Sequence, residues 1–373
     1  MDSYVGSSEA LSQVISAFRR DPLVAVDTEA ASFHKYLDRI YLVQLSTISD
    51  TAIIDPLTVS DLSPVGELLA DRAVEKVFHD ADYDLRILDR DYQFHATCLF
   101  DTRIAAQLAG EPAIGLAALL EKYVGVKLSK AHQRADWSQR PLPRGMLAYA
   151  ADDTRHLPAL REALRTRLRE LGRLEWAEEE FGPLEALRWT GALSSADGYM
   201  RLKGARTLTG RQLAVLRELY LWREDLAARH DKATFRIIGN DALLAVSRAL
   251  PRTIADLEQT VDVPPALAVR HGTDLLACVH RGLALDEAEL PYIERSARVR
   301  NDPAFDARVE RLKAVRNRVA TELGLDPGVL CGRNTLEAVA RAHPKNQAEL
   351  AQADALRRWQ IGVLGDALLA ALD

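Results

Sequence analysis

Slid against itself by 93 positions, the second half of this chain repeats without a gap. Ala227 meets Ala320, Gly239 meets Gly332, Leu243 meets Leu336, Arg248-Ala249 meets Arg341-Ala342, Pro251 meets Pro344, Leu257 meets Leu350 and Gly272 meets Gly365. One offset held over about 50 positions predicts two copies of a single module stacked in one chain. The pattern is almost purely helical from about residue 144 onward. Residues 205–287 and 298–373 are therefore expected to form two small all-α domains joined near Asn301-Asp302-Pro303.

The first half keeps a different rhythm. Residues 23–29 read as a short strand ending in two acids, residues 40–47 alternate like a strand, and residues 51–54 supply a third, which together suggest a meander. A helix near 63–70, a strand at 76–79, a helix at 82–90, a strand near 98–100 and a helix opening at Asp101 follow. Residues 1–195 are accordingly expected to be an α/β domain, a mixed sheet flanked by helices. With 373 residues the chain is too long for one typical domain, which fits a division into three.

Charge divides along the same line. Residues 201–373 hold 26 of the 48 Lys and Arg and 23 of the 54 Asp and Glu, a surplus of 3 positive charges, whereas the earlier residues carry an excess of 9 negative ones. An acidic part can hold cations and a basic part can meet phosphates. The cysteines Cys98, Cys278 and Cys331 are odd in number and scattered, so neither a disulfide framework nor a paired-cysteine zinc site is expected. With no apolar run of membrane-spanning length and no signal-peptide pattern at the start, the expected setting is reducing and cytoplasmic, away from membranes.

Four acids and one tyrosine stand out by position. Asp27 and Glu29 are one residue apart at a strand end, so alternation puts both on one face. Asp84 falls early in the helix that follows His79. Tyr149 and Asp153, at i and i+4, share a helix face. Hydrolysis of a phosphodiester loads negative charge on the attacking and leaving oxygens, and two divalent cations about 4 Å apart can stabilise both. Hard carboxylate oxygens suit Mg²⁺ or Mn²⁺. Nearby Asp82 is expected to cap the helix carrying Asp84, Asp101 to cap the next one, Asp152 to point away from the Tyr149 face, and His79 to serve the structure.

In order and spacing these residues resemble the DEDD exonuclease superfamily in its tyrosine-bearing branch. Asp27-Thr28-Glu29 matches the first motif, Asp84 after the His79 strand the second, and Tyr149 with Asp153 the third. The stretch from Ala131 to Leu142, with Trp137 and Arg140, is similar to the segment that precedes the third motif in ribonuclease D. The resemblance implies a ribonuclease H-like fold and two divalent metal ions, Mg²⁺ or Mn²⁺. By the same resemblance Asp27 bridges both ions, Glu29 and Asp153 hold the one bearing the attacking water, Asp84 helps hold the second, and Tyr149 orients the water.

The repeats resemble the HRDC domain, a helical module shared by ribonuclease D and RecQ-type helicases. The first copy shows Leu208 to Arg223, then Phe235-Arg-Ile-Ile-Gly-Asn-Asp-Ala-Leu243 and Pro251. Ala233-Thr234 stands where many relatives have proline. In the second copy Val315 replaces Trp222, and Pro327 lies near the expected place; Trp222 reads as core. Arg201, Lys203, Arg206 and Arg211 form one basic group and Arg311, Lys313, Arg316 and Arg318 another, both candidates for phosphate contacts. The resemblance implies a 3′–5′ exoribonuclease, expected to act as a monomer, that releases 5′-nucleotides from RNA 3′ ends such as those of transfer RNA precursors. A DNA exonuclease of repair and a catalytically silent nucleic-acid-binding scaffold are the alternatives.

Overall fold

The computed structural model describes residues 2–129, 131–191, 196–294, 302–353 and 355–372. The expected domain limits at 195 and 298, the junction residue Asn301 and the last residue, 373, lie outside them. The chain opens with β1 (Asp2–Val5) and α1 (Ser8–Phe18), neither of which the sequence reading anticipated. Then come β2 (Leu23–Ala30), β3 (Ile40–Ser46), β4 (Thr51–Ile54), α2 (Ser63–Ala70), β5 (Glu75–Phe78), α3 (Asp82–Tyr92), β6 (Leu99–Asp101), α4 (Thr102–Leu108), α5 (Leu116–Tyr123), α6 (Arg144–Arg155), α7 (Leu157–Glu170) and α8 (Leu174–Phe181). The strands form one sheet in the order β1-β4-β3-β2-β5-β6. β2, β3 and β4 make the antiparallel meander; β1 runs parallel to β4, and β5 and β6 extend the sheet in parallel from β2. This is the mixed sheet expected.

Alternation along β2 sorts its side chains between two cores. Val24 and Val26 face α1, α2 and α3 with Leu11, Leu68 and Leu88, whereas Leu23 and Ala25 face α4, α5 and α7 with Leu119, Leu160 and Leu164. Asp27 and Glu29 continue the Leu23–Ala25 parity. A smaller core of Leu42, Ile53, Trp137, Met146 and Ala150 seats α6 on β3 and β4. Thr154 Oγ1 and Ser46 Oγ meet at 2.7 Å with both residues buried, pinning the C-terminal end of α6 to the sheet.

The helical half consists of α9 (Gly210–Arg229), α10 (Asn240–Ala249), α11 (Ile254–Glu258) and α12 (Pro265–Ala284), then α13 (Pro303–Leu323), α14 (Pro327–Leu330), α15 (Arg333–Ala342), α16 (Gln347–Gln352) and α17 (Arg358–Ala370). The offset of 93 carries Gly210 to Pro303, Asn240 to Arg333, Ile254 to Gln347 and Pro265 to Arg358, each the first residue of its helix. It also carries Leu250 to His343, both left-handed at the end of a helix, with φ of 51° and 47°. At Gly272 α12 passes close to α11: a Cβ there would lie 2.8 Å from the Cδ1 methyl of Ile254, a partly exposed side chain that could turn aside.

The two modules meet the α/β domain differently. The second shares its hydrophobic core, with Trp359 stacked on Trp176 at 4.9 Å between centroids and Arg173 donating to the carbonyls of Leu108, at 2.9 Å, and Leu323, at 2.6 Å. The first has a core of its own and touches the loop that follows β2 through hydrogen bonds and one aromatic pair. No helix among the described residues is long and apolar enough to cross a membrane.

Candidate active site

β2 delivers Asp27 and Glu29 to a cavity of about 530 Å³, and α6 brings Tyr149 and Asp153 to the same cavity. Carboxylate oxygens of Asp27, Glu29 and Asp153 come within 4.8 Å of one another. Asp84 lines the same cavity from the first turn of α3, where the Thr28 hydroxyl donates to its carboxylate. Asp152 does not join them; it pairs with Arg155 at 2.7 Å.

The turn that presents Asp84 is held from the next strand. The Asp101 carboxylate accepts the N–H groups of Ala81, at 2.8 Å, and Asp80, at 3.3 Å, and also caps α4 through Arg103 and Ile104. Asp82 is not the expected cap. Ala81 occupies the cap position, and Asp82 lies inside the first turn with its carboxylate on Arg86 at 2.7 Å. His79 shares a hydrogen bond of 2.9 Å with Thr102 Oγ1, and burial lowers its pKa to about 4, leaving it neutral and structural.

Burial, followed by the charge of Asp153, pushes the Asp27 carboxyl up to about 8. Burial and then Asp152 push Asp153 up to about 7. Glu29 is held well above the carboxylate range by burial and by Asp27, and Asp84 likewise. Acids gathered at this cost retain protons unless positive charge neutralises them. Their hard oxygen donors and close spacing fit divalent cations, and the cluster supports divalent metal use. The Tyr149 phenol is pushed above its ordinary value by burial and by the charges of Asp153, Glu29 and Asp27, so it keeps its proton at neutral pH. Its ring is fixed edge-on to His132 at 5.7 Å and against Trp137 at 6.1 Å.

Two supports escaped the sequence reading. Arg140 clamps the fully buried Asp55 with Nη2 to Oδ1 at 2.7 Å and Nε to Oδ2 at 2.5 Å, and donates to the Tyr41 carbonyl at 2.9 Å, tying the segment before α6 to the sheet. Gln44 is paired with Asp27 in the β2–β3 register and wholly buried, yet neither of its amide atoms has a hydrogen-bond partner among the described residues. Its alternation with Leu42 and Ser46 was the available signal that it faces the acids.

The basic groups do not converge on the cavity. Arg201, Lys203 and Arg206 are exposed on turns before α9, the first of which packs Tyr199 against Tyr220 in the middle of that helix, and none of the three lines the cavity. Arg211 donates to Leu283 O at 3.2 Å, Arg311 to Ala371 O at 3.0 Å and Arg316 to Cys331 O at 3.0 Å. Lys313 pairs with Glu310 at 3.1 Å and Arg318 with Glu322 at 3.0 Å.

A mixed sheet carrying clustered carboxylates, with a tyrosine one helical turn from the last of them, defines an acidic exonuclease domain of the metal-using kind. Residues 3–169 match the 3′-5′ exonuclease family, and residues 212–279 and 305–372 each match the HRDC domain. The chain is 34% identical over 372 residues to ribonuclease D of Granulibacter bethesdensis, covering 98% of this chain and 91% of that one. It is 31% identical to ribonuclease D of Pseudomonas paraeruginosa, covering 99% and 97%. The crystal structure of Escherichia coli RNase D, described as an exoribonuclease involved in structured RNA processing, superposes with a TM-score of 0.72 at 26% identity, covering 100% of this chain and 98% of that one. The chain belongs to the ribonuclease D family, and it is a hydrolase of the 3′–5′ exoribonuclease class.

Proposed function

We propose that the chain trims the 3′ ends of structured RNA, transfer RNA precursors among them, working as a cytoplasmic monomer and releasing 5′-nucleotides one at a time. The observation that carries this is the meeting of Asp27, Glu29 and Asp153 oxygens within 4.8 Å in a cavity that also holds Asp84 and Tyr149. Two Mg²⁺ or Mn²⁺ ions would be held by Asp27, Glu29, Asp84 and Asp153, with Asp27 shared. Such ions supply charge stabilisation at the attacking and leaving oxygens and lower the pKa of the water. Glu29 and Asp153 would hold the ion that bears the attacking water, and Asp84 would help hold the ion at the leaving 3′ oxygen. The Tyr149 hydroxyl orients the water for in-line attack, and the phosphate stays with the released nucleotide. The division into residues 1–195, 205–287 and 298–373 belongs to this proposal, as do phosphate contacts from Arg201, Lys203, Arg206, Arg211, Arg311, Lys313, Arg316 and Arg318. All three cysteines are free, in keeping with a reducing compartment.

End-labelled linear RNA, circular RNA and matched DNA, each with Mg²⁺, Mn²⁺ or chelator, test it. Stepwise mononucleotides from linear RNA, an intact circle and silence in chelator are expected. Cleavage of the circle overturns the exonuclease assignment, and preference for DNA moves the chain to repair.

A further inference from the structure

Among the described residues, the hydrogen bonds between the first helical module and the catalytic domain gather at the loop after β2, and two phenylalanines stand exposed there. The segment after β2 and the segment after α9 are tied together: Ala233 N–H donates to His34 O at 3.2 Å, Lys35 Nζ to Asp231 at 2.8 Å, and Arg236 Nε to the Phe33 carbonyl. His34 Nε2 also meets the Arg134 carbonyl at 2.9 Å. These bonds immobilise Phe33 and Phe235 without covering them. Their rings lie edge to face at 6.2 Å, 44% and 53% exposed.

The place is next to the chemistry. Phe33 is four residues beyond Glu29, a span of at most about 14 Å. The Arg134 guanidinium lies over the Phe33 ring at 5.5 Å, and its neighbour Gln133 lines the catalytic cavity. On the other side Phe235 borders a groove of about 550 Å³ in the first module, where Lys232, Arg236 and Arg270 outnumber Asp241 and Asp262. Arg134, Lys232 and Arg270 are exposed and have no ion-pair partner among the described residues. Held aromatic rings beside free cations are what unpaired nucleotides bind: bases stack on the rings and phosphates meet the cations.

We propose that Phe33 and Phe235 form a stacking seat for unpaired bases on the 5′ side of the scissile phosphate, continued by the basic groove of the first helical module. The seat rests on the RNA 3′-end reading above. It assigns the first module a definite role, in which the terminal nucleotide enters the acidic cavity while the strand behind it crosses the two rings. Because stacking takes any base, the seat grips single strand without reading sequence and demands an unpaired 3′ overhang.

The test uses the full chain, a single-stranded octanucleotide and a dinucleotide, and reads the octamer preference as the ratio of kcat/KM on the two. Phe235→Ala is expected to lower that ratio at least about fivefold, through KM on the octamer. Phe235→Trp, which keeps a stacking face, is expected to retain it. Phe33→Ala should act in the same direction, and Arg270→Ala should flatten the dependence of octamer KM on salt. Melting temperatures confirm that each variant is folded. An unchanged ratio in a folded Phe235→Ala protein overturns the seat and leaves the rings to a protein partner. Equal loss in Phe235→Ala and Phe235→Trp also overturns it, since packing at the seam would then be the cause. Failure of the wild type to shorten either RNA refutes the exonuclease reading itself.

Discussion

Replacing Asp27 by Asn should destroy activity and yet strengthen the metal-free fold. In chelator the Asp27 carboxyl has its pKa raised from 3.8 to about 8. Between about pH 4 and pH 8 the folded protein therefore keeps a proton that the unfolded chain has released, and stability falls as pH rises across that window. At about 1.4 kcal/mol per pH unit, the burden at pH 8 is on the order of 5 kcal/mol. Asn carries no charge, and its incompletely bonded amide gives back about 1–3 kcal/mol. A net gain of about 2–4 kcal/mol remains, a rise in melting temperature on the order of 10 °C for a domain of this size. The assay is thermal unfolding of both proteins in chelator from pH 5 to pH 8.5, repeated with Mn²⁺. The gap should open with rising pH, vanish near pH 5, and close in Mn²⁺ as the wild type binds cations that the variant holds poorly. Equal melting temperatures in chelator at pH 8, or the same gap at pH 5 as at pH 8, would refute the idea that crowded carboxylates burden this fold until cations arrive.

Three further outcomes are expected. Tyr149→Phe keeps the ring against His132 and Trp137 and should lower kcat roughly 10- to 1000-fold without changing the metal dependence, whereas Asp153→Asn should be partly rescued by raised Mn²⁺; titrating both variants with metal separates the roles. Arg140→Ala leaves the buried Asp55 carboxylate without a counter-charge, held only by the Tyr4 hydroxyl and the Leu57 N–H, and should cost about 3–5 kcal/mol in urea unfolding, a loss under 1 kcal/mol showing that the clamp is dispensable. Trp359→Ala removes the ring stacked on Trp176 and the bond from its Nε1 to Glu180 at 2.8 Å, and should destabilise by about 3–5 kcal/mol; an unchanged melting curve would show that the second module does not brace the catalytic domain.

Much of the site was legible because its signals are local. The parity of Asp27 and Glu29 follows from strand alternation, and Tyr149 with Asp153 from one helical turn. The repeat was legible because both copies solve the same packing problem with the same spacing, and in the structure the offset carries the first residues of four helices onto those of four others. Tertiary packing alone decided that residue 153 stands beside residue 27 and that Thr28 holds Asp84. It also turned Arg211, Arg311 and Arg316, which the sequence offered as candidates for phosphate contacts, onto backbone carbonyls near helix ends, and set the loop after β2 against the first module. No periodicity encodes these meetings, because they depend on which surfaces exclude water together when the whole chain closes.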